Sequence, residues 1–263
     1  MLLIGLTGSI STGKSTVSKI LSKDHVLPVI DADELARKVV EVGTPGHTAI
    51  VRYFSESTPG LLNEDGSLNR AILGRRVFGD DPERKKDRGV LNGIVHPLVR
   101  KEMYKSIGYH YLSGAWAVVL DVPLLFESSL DLICGAVLVV SVSSPEVQLR
   151  RLLARDTYLT REDAEKRVAS QMSAQEKVER CDRVFGGARG RGAAISNDGS
   201  LEELREEVTR VVGGLKAGRD GWWKWMLWGL PPVAGAVGAR VVAENWWWRE
   251  CWFREREGVK AKL

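Results

Sequence analysis

The chain has 263 residues, enough to bury a sizeable core, and it predicts one large or two small domains. Its three cysteines, Cys134, Cys181 and Cys251, are odd in number and widely spaced, which argues against a disulfide framework or zinc site and favours a reducing, intracellular compartment. The net charge of +4 is matched by residues 216–263 alone, which hold nine Lys/Arg against five Asp/Glu, so the remainder is balanced and gives no argument for nucleic-acid binding.

The first elements surround a glycine-rich turn. An aliphatic run at residues 2–6 predicts a buried strand, and from Lys14 onward apolar residues recur at helical spacing. Because this strand begins at residue 2, we expect neither a signal peptide nor a cleavable presequence before it. Between strand and helix, Gly8-Ser-Ile-Ser-Thr-Gly13-Lys14-Ser15 fits G-x-x-x-x-G-K-[ST] at every fixed position. The motif predicts a phosphate-binding loop, in which backbone N–H groups and Lys14 hold phosphates and Ser15 reaches Mg²⁺, rather than an accidental turn.

Alternating strands and helices follow in chain order. Strands are predicted within 26–33, 115–127, 135–143 and 193–197. Helices are predicted from residue 34 and over most of 47–110, with an interruption at 62–69. Further helices begin after Ser144, Thr160 and Ser173, and an amphipathic helix covers 200–215. This alternation predicts an α/β fold with a parallel sheet flanked by helices.

Three carboxylates stand at predicted strand ends, where open α/β sheets place ligands. Asp31 and Asp33 follow the second strand, and Asp121 ends the third. Asp33 is a candidate base that accepts the proton of an attacking hydroxyl, and the N-cap of the next helix is the alternative. Asp121 is a candidate metal ligand together with Ser15, and a strand-end carboxylate without a catalytic part is its alternative.

Residues 148–171 carry the arginines Arg150, Arg151, Arg155, Arg161 and Arg167. A charged run on a helix usually marks a solvated face. In a phosphotransferase, however, a mobile helical lid with arginines would stabilise the transferred phosphoryl group and exclude water. Arg155 is the favoured catalytic arginine, because it precedes a break in the helical pattern.

At this point the chain resembles the dephospho-coenzyme A kinase family, in a eukaryote-like form with a Trp-rich tail. The resemblance spans about residues 2–212 and rests on GLTGSISTGKSTVS, VIDADELARKVVEVGTPG, EDGSLNRAILGRRVF, HPLVRKEM, DVPLLFE and the run from RD through AEKRVASQMSAQEK to NDGSLEEL. The resemblance implies a P-loop kinase fold. It also implies an enzyme that uses ATP and Mg²⁺ to phosphorylate the ribose 3′-hydroxyl of dephospho-CoA.

The resemblance also implies a division of labour within residues 1–215. The helical region of about 61–112, with Arg70 and His96-Pro97, would bind dephospho-CoA, and residues of about 155–172 would form the lid. Lys14, Asp33 and Arg155 are the expected catalytic residues. The expected ATP-binding residues are Gly8, Ser9, Ile10, Ser11, Thr12, Gly13, Lys14, Ser15 and Thr16.

Two departures and three rival functions accompany this resemblance. Ser9 replaces a glycine found in many members, and GGARGRG at 186–192 looks inserted, as a surface loop or an altered adenine-side loop.

Another small-molecule or nucleoside monophosphate kinase is the first rival function. A GTP-dependent switch lacks support, because no asparagine is followed by lysine as N-K-x-D requires. An inactive membrane scaffold is disfavoured by the intact Lys14, Ser15 and Asp33.

The C-terminal segment differs in composition from the rest. Eight of the nine tryptophans lie between residues 222 and 252, around an apolar stretch that predicts a hydrophobic helix. We expect residues 222–257 to be a membrane anchor, with 222–248 as the contacting part. A full span, an interfacial or re-entrant anchor, and an appendage folded back on the kinase remain open, and Pro231-Pro232 would kink a spanning helix. Protein partners are not indicated by the sequence.

Overall fold

The computed structural model describes residues 1–79, 81–186, 190–217 and 231–260. Its contacts form two compact units, one made of Met1–Val29 with His110–Leu263 and the other of Ile30–Tyr109. The predicted lid and phosphate loop belong to the first unit, and most of the predicted acceptor region belongs to the second.

A five-stranded sheet organises the first unit. The strands are β1 (Leu2–Gly8), β2 (Val29–Asp31), β3 (Ala117–Asp121), β4 (Ala136–Ser141) and β5 (Gly192–Ser196), in the order β2-β3-β1-β4-β5. β1 runs parallel to β3 and β4, and β4 runs parallel to β5. The aliphatic side chains of β1, β3 and β4 are almost all buried, on both faces, as is typical of parallel sheets. The predicted α/β fold is confirmed.

The helices agree closely with the predicted order. They are α1 (Lys14–Lys23), α2 (Ala32–Lys38), α3 (Pro45–Phe54), α4 (Arg70–Val77), α5 (Pro82–Leu112), α6 (Pro145–Arg155), α7 (Arg161–Ala169), α8 (Ala174–Phe185), α9 (Leu201–Ala217) and α10 (Pro231–Lys260), with a 3-10 helix at Leu130–Ile133. The predicted caps Ser144, Thr160 and Ser173 each accept a bond from a backbone N–H in the first turn. α1 and α9 pack with β1, β3 and β4 to form the main core.

The second unit has a separate helical core. Ile50 and Phe54 of α3 pack with Leu73 and Val77 of α4 and with apolar residues of α5. The predicted interruption at 62–69 is a turn closed by one antiparallel bridge between Leu62 and Leu68. A small apolar core of its own therefore holds this helical region together.

α10 docks on the first unit, against α8 and the 3-10 helix. Asn245 is fully buried, and its side-chain Nδ2 donates to the carbonyl oxygens of Leu132 and Cys134 at 3.0 and 2.8 Å. Trp252 is 4% exposed, and the buried guanidinium of Arg180 lies 5.4 Å from its ring centre. The same guanidinium pairs with the buried carboxylate of Asp131 at 2.8 Å. The described part of the tail is thus a helix packed against α8 and the 3-10 helix of the first unit.

The C-terminal helix differs from its prediction in two respects. Pro231 and Pro232 stand in its first turn, where proline fits, and not inside a helix that they would kink. Charged side chains recur from Arg240 to the end of the helix, so it is not hydrophobic along its length. Within the described residues no helix is both long and apolar enough to cross a membrane. The first tryptophan cluster, at 222–228, and the insertion residues 187–189 lie outside the described residues.

Candidate active site

The phosphate loop connects the end of β1 to the start of α1. Gly13 is the N-cap of α1 with φ +92°, and a Cβ built on it would lie 2.0 Å from the side-chain Nδ2 of Asn197. A Cβ on Gly8 would lie 2.7 Å from Thr12 Oγ1 and 2.8 Å from the carbonyl oxygen of Val140. Gly13 is therefore required by its left-handed backbone and by close packing, and Gly8 by close packing alone.

Side chains from distant elements hold this loop in place. Asn197, directly after β5, donates from Nδ2 to the carbonyl oxygen of Thr12 at 2.8 Å. The buried Gln148 of α6 donates from Nε2 to the carbonyl oxygen of Ile10 at 2.8 Å, and the Ile10 N–H donates to Gln171 Oε1 at 3.1 Å. The loop is thus bonded to Gln171, near the end of the region predicted as the lid, and to Gln148 in α6, which precedes that region.

Lys14 and Asp121 meet at the carboxyl edge of the sheet. The Lys14 ammonium donates to the Asp121 carboxylate, whose side chain is 4% exposed. β1 and β3 are neighbours with Leu6 opposite Asp121, which explains the encounter. Ser15 is exposed in the first turn of α1. The structure therefore brings together Lys14, the cation predicted to bind phosphate, and Asp121, one of the two predicted metal ligands.

The two carboxylates at the carboxyl end of β2 have different local roles. Asp31 is the N-cap of α2, and its Oδ1 accepts bonds from the N–H groups of Asp33 and Glu34 at 2.8 and 3.1 Å. The alternative of Asp33 as N-cap is therefore wrong, because Asp31 fills that position. The Asp33 carboxylate is exposed in the first turn of α2 and takes no part in this cap.

The predicted lid corresponds to α7 and its flanking turns. Ala164 of α7 packs with Leu149 and Leu152 of α6, and Ile10 of the phosphate loop packs against the same cluster. Arg155 ends α6, where its Nε and Nη2 both donate to the Asp156 carboxylate at 3.0 Å. This hydrogen bonding holds the pKa of Asp156 below its usual range. The described contact of Arg155 is thus within the lid and not with the phosphate loop.

A buried lysine supports the site from behind. Lys177 of α8 has no exposed surface, and its Nζ donates to the carbonyl oxygen of Pro123 at 2.9 Å. Thr7 Oγ1 donates to the same oxygen at 2.9 Å, and Lys177 also pairs with Glu127 at 3.5 Å. Burial lowers the pKa of Lys177. These bonds fix the turn that follows Asp121.

Two cavities adjoin the predicted functional residues. One, of about 700 Å³, lies in the first unit and is lined by Ser9, Gln148, Gln171, Ser173 and Glu176, among others. It borders the phosphate loop at the amino-terminal ends of α6 and α8. The first unit therefore has space for a ligand beside the loop.

The second cavity, of about 840 Å³, lies within the second unit. Its walls are mostly apolar side chains from residues 36–95, and its charged members are Arg37, Arg70 and Glu41. His96 and Pro97 are exposed in the middle of α5 and follow Val95, which lines the cavity. The predicted acceptor residue Arg70 thus borders a substantial cavity.

Several supporting residues were not identified from the sequence. Gln148 and Gln171 are the first and last residues of the arginine-rich run, but the prediction for this run rests on its arginines alone. Asn197 and Lys177 lie in segments quoted for the family resemblance, without an assigned role. Only the fold reveals their contacts, because the bonded partners are far apart in sequence.

Comparisons with known proteins agree on one family. The family model described as dephospho-CoA kinase matches residues 2–189. The chain is 46% identical over 212 residues to dephospho-CoA kinase CAB5 of Saccharomyces cerevisiae, covering 81% of this chain and 82% of that protein. It is 44% identical over 209 residues to dephospho-CoA kinase of Bacillus cereus, covering 80% of this chain and 94% of that protein.

Two solved structures have a similar fold. Dephospho-CoA kinase from Campylobacter jejuni superposes with a TM-score of 0.59 at 26% identity, covering 82% of this chain and 98% of that chain. TT1252 from Thermus thermophilus superposes with a TM-score of 0.64 at 32% identity, covering 81% of this chain and 97% of that chain.

Proposed function

Because the chain belongs to the dephospho-CoA kinase family, it phosphorylates dephospho-CoA with ATP in CoA biosynthesis, and we propose which of its residues do so. The phosphate loop is the observation that supports the site of the phosphate donor. In this loop Gly13 has a left-handed conformation and Lys14 lies beside Asp121. We assign ATP to this loop, at residues Gly8 to Thr16. We assign the ribose 3′-hydroxyl of dephospho-CoA as the acceptor.

Lys14 would contact the β- and γ-phosphates in this site. Its ammonium would exchange the Asp121 carboxylate for phosphate oxygens and stabilise the charge that develops during transfer. The Ser15 hydroxyl and the Asp121 carboxylate are hard oxygen donors that fit Mg²⁺. When bound, Mg²⁺ would neutralise charge on the phosphates.

Asp33 is the proposed general base. Its carboxylate is exposed, and the capping bonds of α2 are already made by Asp31, so Asp33 is available to accept the proton of the acceptor hydroxyl. Arg155 is proposed to leave Asp156 for the transferred phosphoryl group when the lid closes over the nucleotide.

The acceptor is proposed to bind along the helical region of residues 61–112. The cavity of about 840 Å³ in the second unit offers apolar walls for the pantetheine arm. Arg70 at its border offers a guanidinium for the diphosphate of dephospho-CoA. His96 and Pro97 would complete this region.

The assay for this function is direct. Purified protein is incubated with ATP, Mg²⁺ and dephospho-CoA, and CoA is measured by mass, with adenosine monophosphate and shikimate as competing acceptors. We expect CoA to form and the other acceptors to remain unchanged. Phosphorylation of another acceptor in preference to dephospho-CoA would replace this proposal with the rival kinase function.

For location, we propose that the segment 222–257 contacts a membrane surface without spanning it. Support comes from Trp246 and Trp247, which are 49% and 60% exposed on α10, since tryptophan favours membrane interfaces. Asn245 and Trp252 hold the other side of the helix on the kinase. We expect the full chain to float with anionic phospholipid vesicles and Trp246→Ser/Trp247→Ser to lose this binding. Tyr104→Ser, at an exposed aromatic of α5, is the control, and failure of the full chain to float contradicts the proposal.

A further inference from the structure

α10 reaches the amino-terminal end of α8 through one ion pair. The Arg256 guanidinium donates from Nη2 to Glu176 Oε1 at 2.6 Å, and its carbon lies 4.9 Å from the ring centre of Trp252. Trp252 is buried against Arg180, so the stacked guanidinium has a fixed platform. The side chains of Arg256 and Glu176 are each 36% exposed.

Glu176 also closes the first turn of α8. Its Oε2 accepts from the backbone N–H of Ser173, and Ser173 Oγ accepts from the Glu176 N–H, which completes a capping box. Arg256 therefore binds the same carboxylate that fixes the backbone at Ser173. The hydrogen bond from Arg256 is the main cause of the lowered pKa of Glu176.

The residues just before Ser173 contact the phosphate loop. Gln171 Oε1 accepts from the Ile10 N–H at 3.1 Å, and the Met172 carbonyl oxygen accepts from Ser9 Oγ at 3.3 Å. Glu176, Ser173, Gln171 and Ser9 all line the cavity of about 700 Å³ beside the loop. A short path of bonded groups thus joins α10 to the loop.

We propose that Arg256 is a positioning residue for the nucleotide, acting through Glu176 and the segment 171–173 on the phosphate loop. The described contacts of Arg256 are with Glu176 and Trp252, and the path through Glu176 reaches the loop at Ser9 in the wall of the cavity, so we expect its effect on nucleotide affinity. This inference rests on the assignment of ATP to the loop in the proposed function, but it does not depend on the acceptor.

Glu255 provides a matched control on the same helix. It pairs with Arg183 in the last turn of α8, far along the helix from the capping box. Glu255→Ala therefore removes an ion pair between the same two helices without changing Glu176. A general loosening of α10 would affect both variants alike, whereas the proposed path distinguishes them.

The test measures the dissociation constant for ATP by calorimetry without acceptor, and kcat and both KM values with dephospho-CoA. For Arg256→Ala we expect the Kd and KM for ATP to rise about threefold to fivefold, the scale of one partly exposed ion pair, with kcat and the KM for dephospho-CoA unchanged. Arg256→Lys should retain part of the affinity. Glu255→Ala should leave the ATP affinity unchanged.

Glu176→Gln completes the experiment, because glutamine at this position preserves a capping box and removes the charge. It should weaken ATP binding as Arg256→Ala does, and the double variant should be no weaker than either single one. Unchanged ATP affinity in Arg256→Ala, an equal loss in Glu255→Ala, or additive losses in the double variant would each overturn the proposal. Absence of CoA formation by the unmodified chain would refute the acceptor assignment alone, since ATP binding is measured separately.

Discussion

Replacing Asn245 by alanine should destabilise the first unit strongly. Its Nδ2 donates to the carbonyl oxygens of Leu132 and Cys134 at 3.0 and 2.8 Å, and to that of Asp131 at 3.4 Å, near the limit for a hydrogen bond. A buried acceptor left without a donor costs about 1–3 kcal/mol. With two well-formed bonds lost, we expect the free energy of unfolding to fall by about 2–4 kcal/mol.

The assay is equilibrium unfolding in urea, followed by tryptophan fluorescence and far-ultraviolet circular dichroism. Asn245→Asp should lose at least as much, because a carboxylate cannot donate to the carbonyls and would repel Asp131. Arg240→Ala is the control, since Arg240 is 80% exposed on the same helix, and it should change the free energy of unfolding by less than about 0.5 kcal/mol. Equal stability of Asn245→Ala and Arg240→Ala would refute the reasoning.

Three other outcomes are expected. Lys14→Ala should lower kcat at least about 10²-fold, because the lysine charge matters most in the transition state, and steady-state CoA formation measures it. Asp33→Asn should lower kcat by about 10²–10⁴-fold with ATP affinity retained, while Glu34→Gln, one residue further along α2, should change kcat little; equal effects would remove Asp33 as the base. The Arg256 hydrogen bond holds the pKa of Glu176 below its unfolded value near 4.5, so the stability from this pair should be present above about pH 4.5 and be lost as pH falls through the folded-state pKa. Arg256→Ala should reduce that loss in urea unfolding between about pH 3 and 7, because only the bonds from Ser173 then still lower the pKa of Glu176, and an unchanged pH dependence would contradict the assignment.

The local elements were predictable because each has a local cause. The phosphate loop is a contiguous motif, and the caps at Ser144, Thr160 and Ser173 each depend on the residue three positions further along the chain. Asp31 and Asp33 show the limit of this reasoning, because both carboxylates can cap a helix and the sequence does not show where the helix begins. The structure decides in favour of Asp31.

The supporting contacts of the site were not predictable, because they join residues far apart in sequence. Gln148 and Gln171 meet Ile10 only after β4, α6 and α7 have been placed around the loop. The tail is a different case, since tryptophans beside apolar residues suit both a membrane interface and a docked helix. The buried Asn245 shows that one side of the helix is docked in the fold, but a single asparagine carries no such signal in the sequence.

The strand order also dictates when the sheet of the first unit can form during synthesis. β1 is the central strand, yet its partners in β3 and β4 are about 115 to 130 residues further along the chain. The phosphate loop that follows β1 therefore cannot be fixed until β4 has left the ribosome, and closing so long a segment is entropically slow. Until then the aliphatic β1 is an unpaired strand with exposed apolar side chains, so we expect chaperones to bind it early during synthesis.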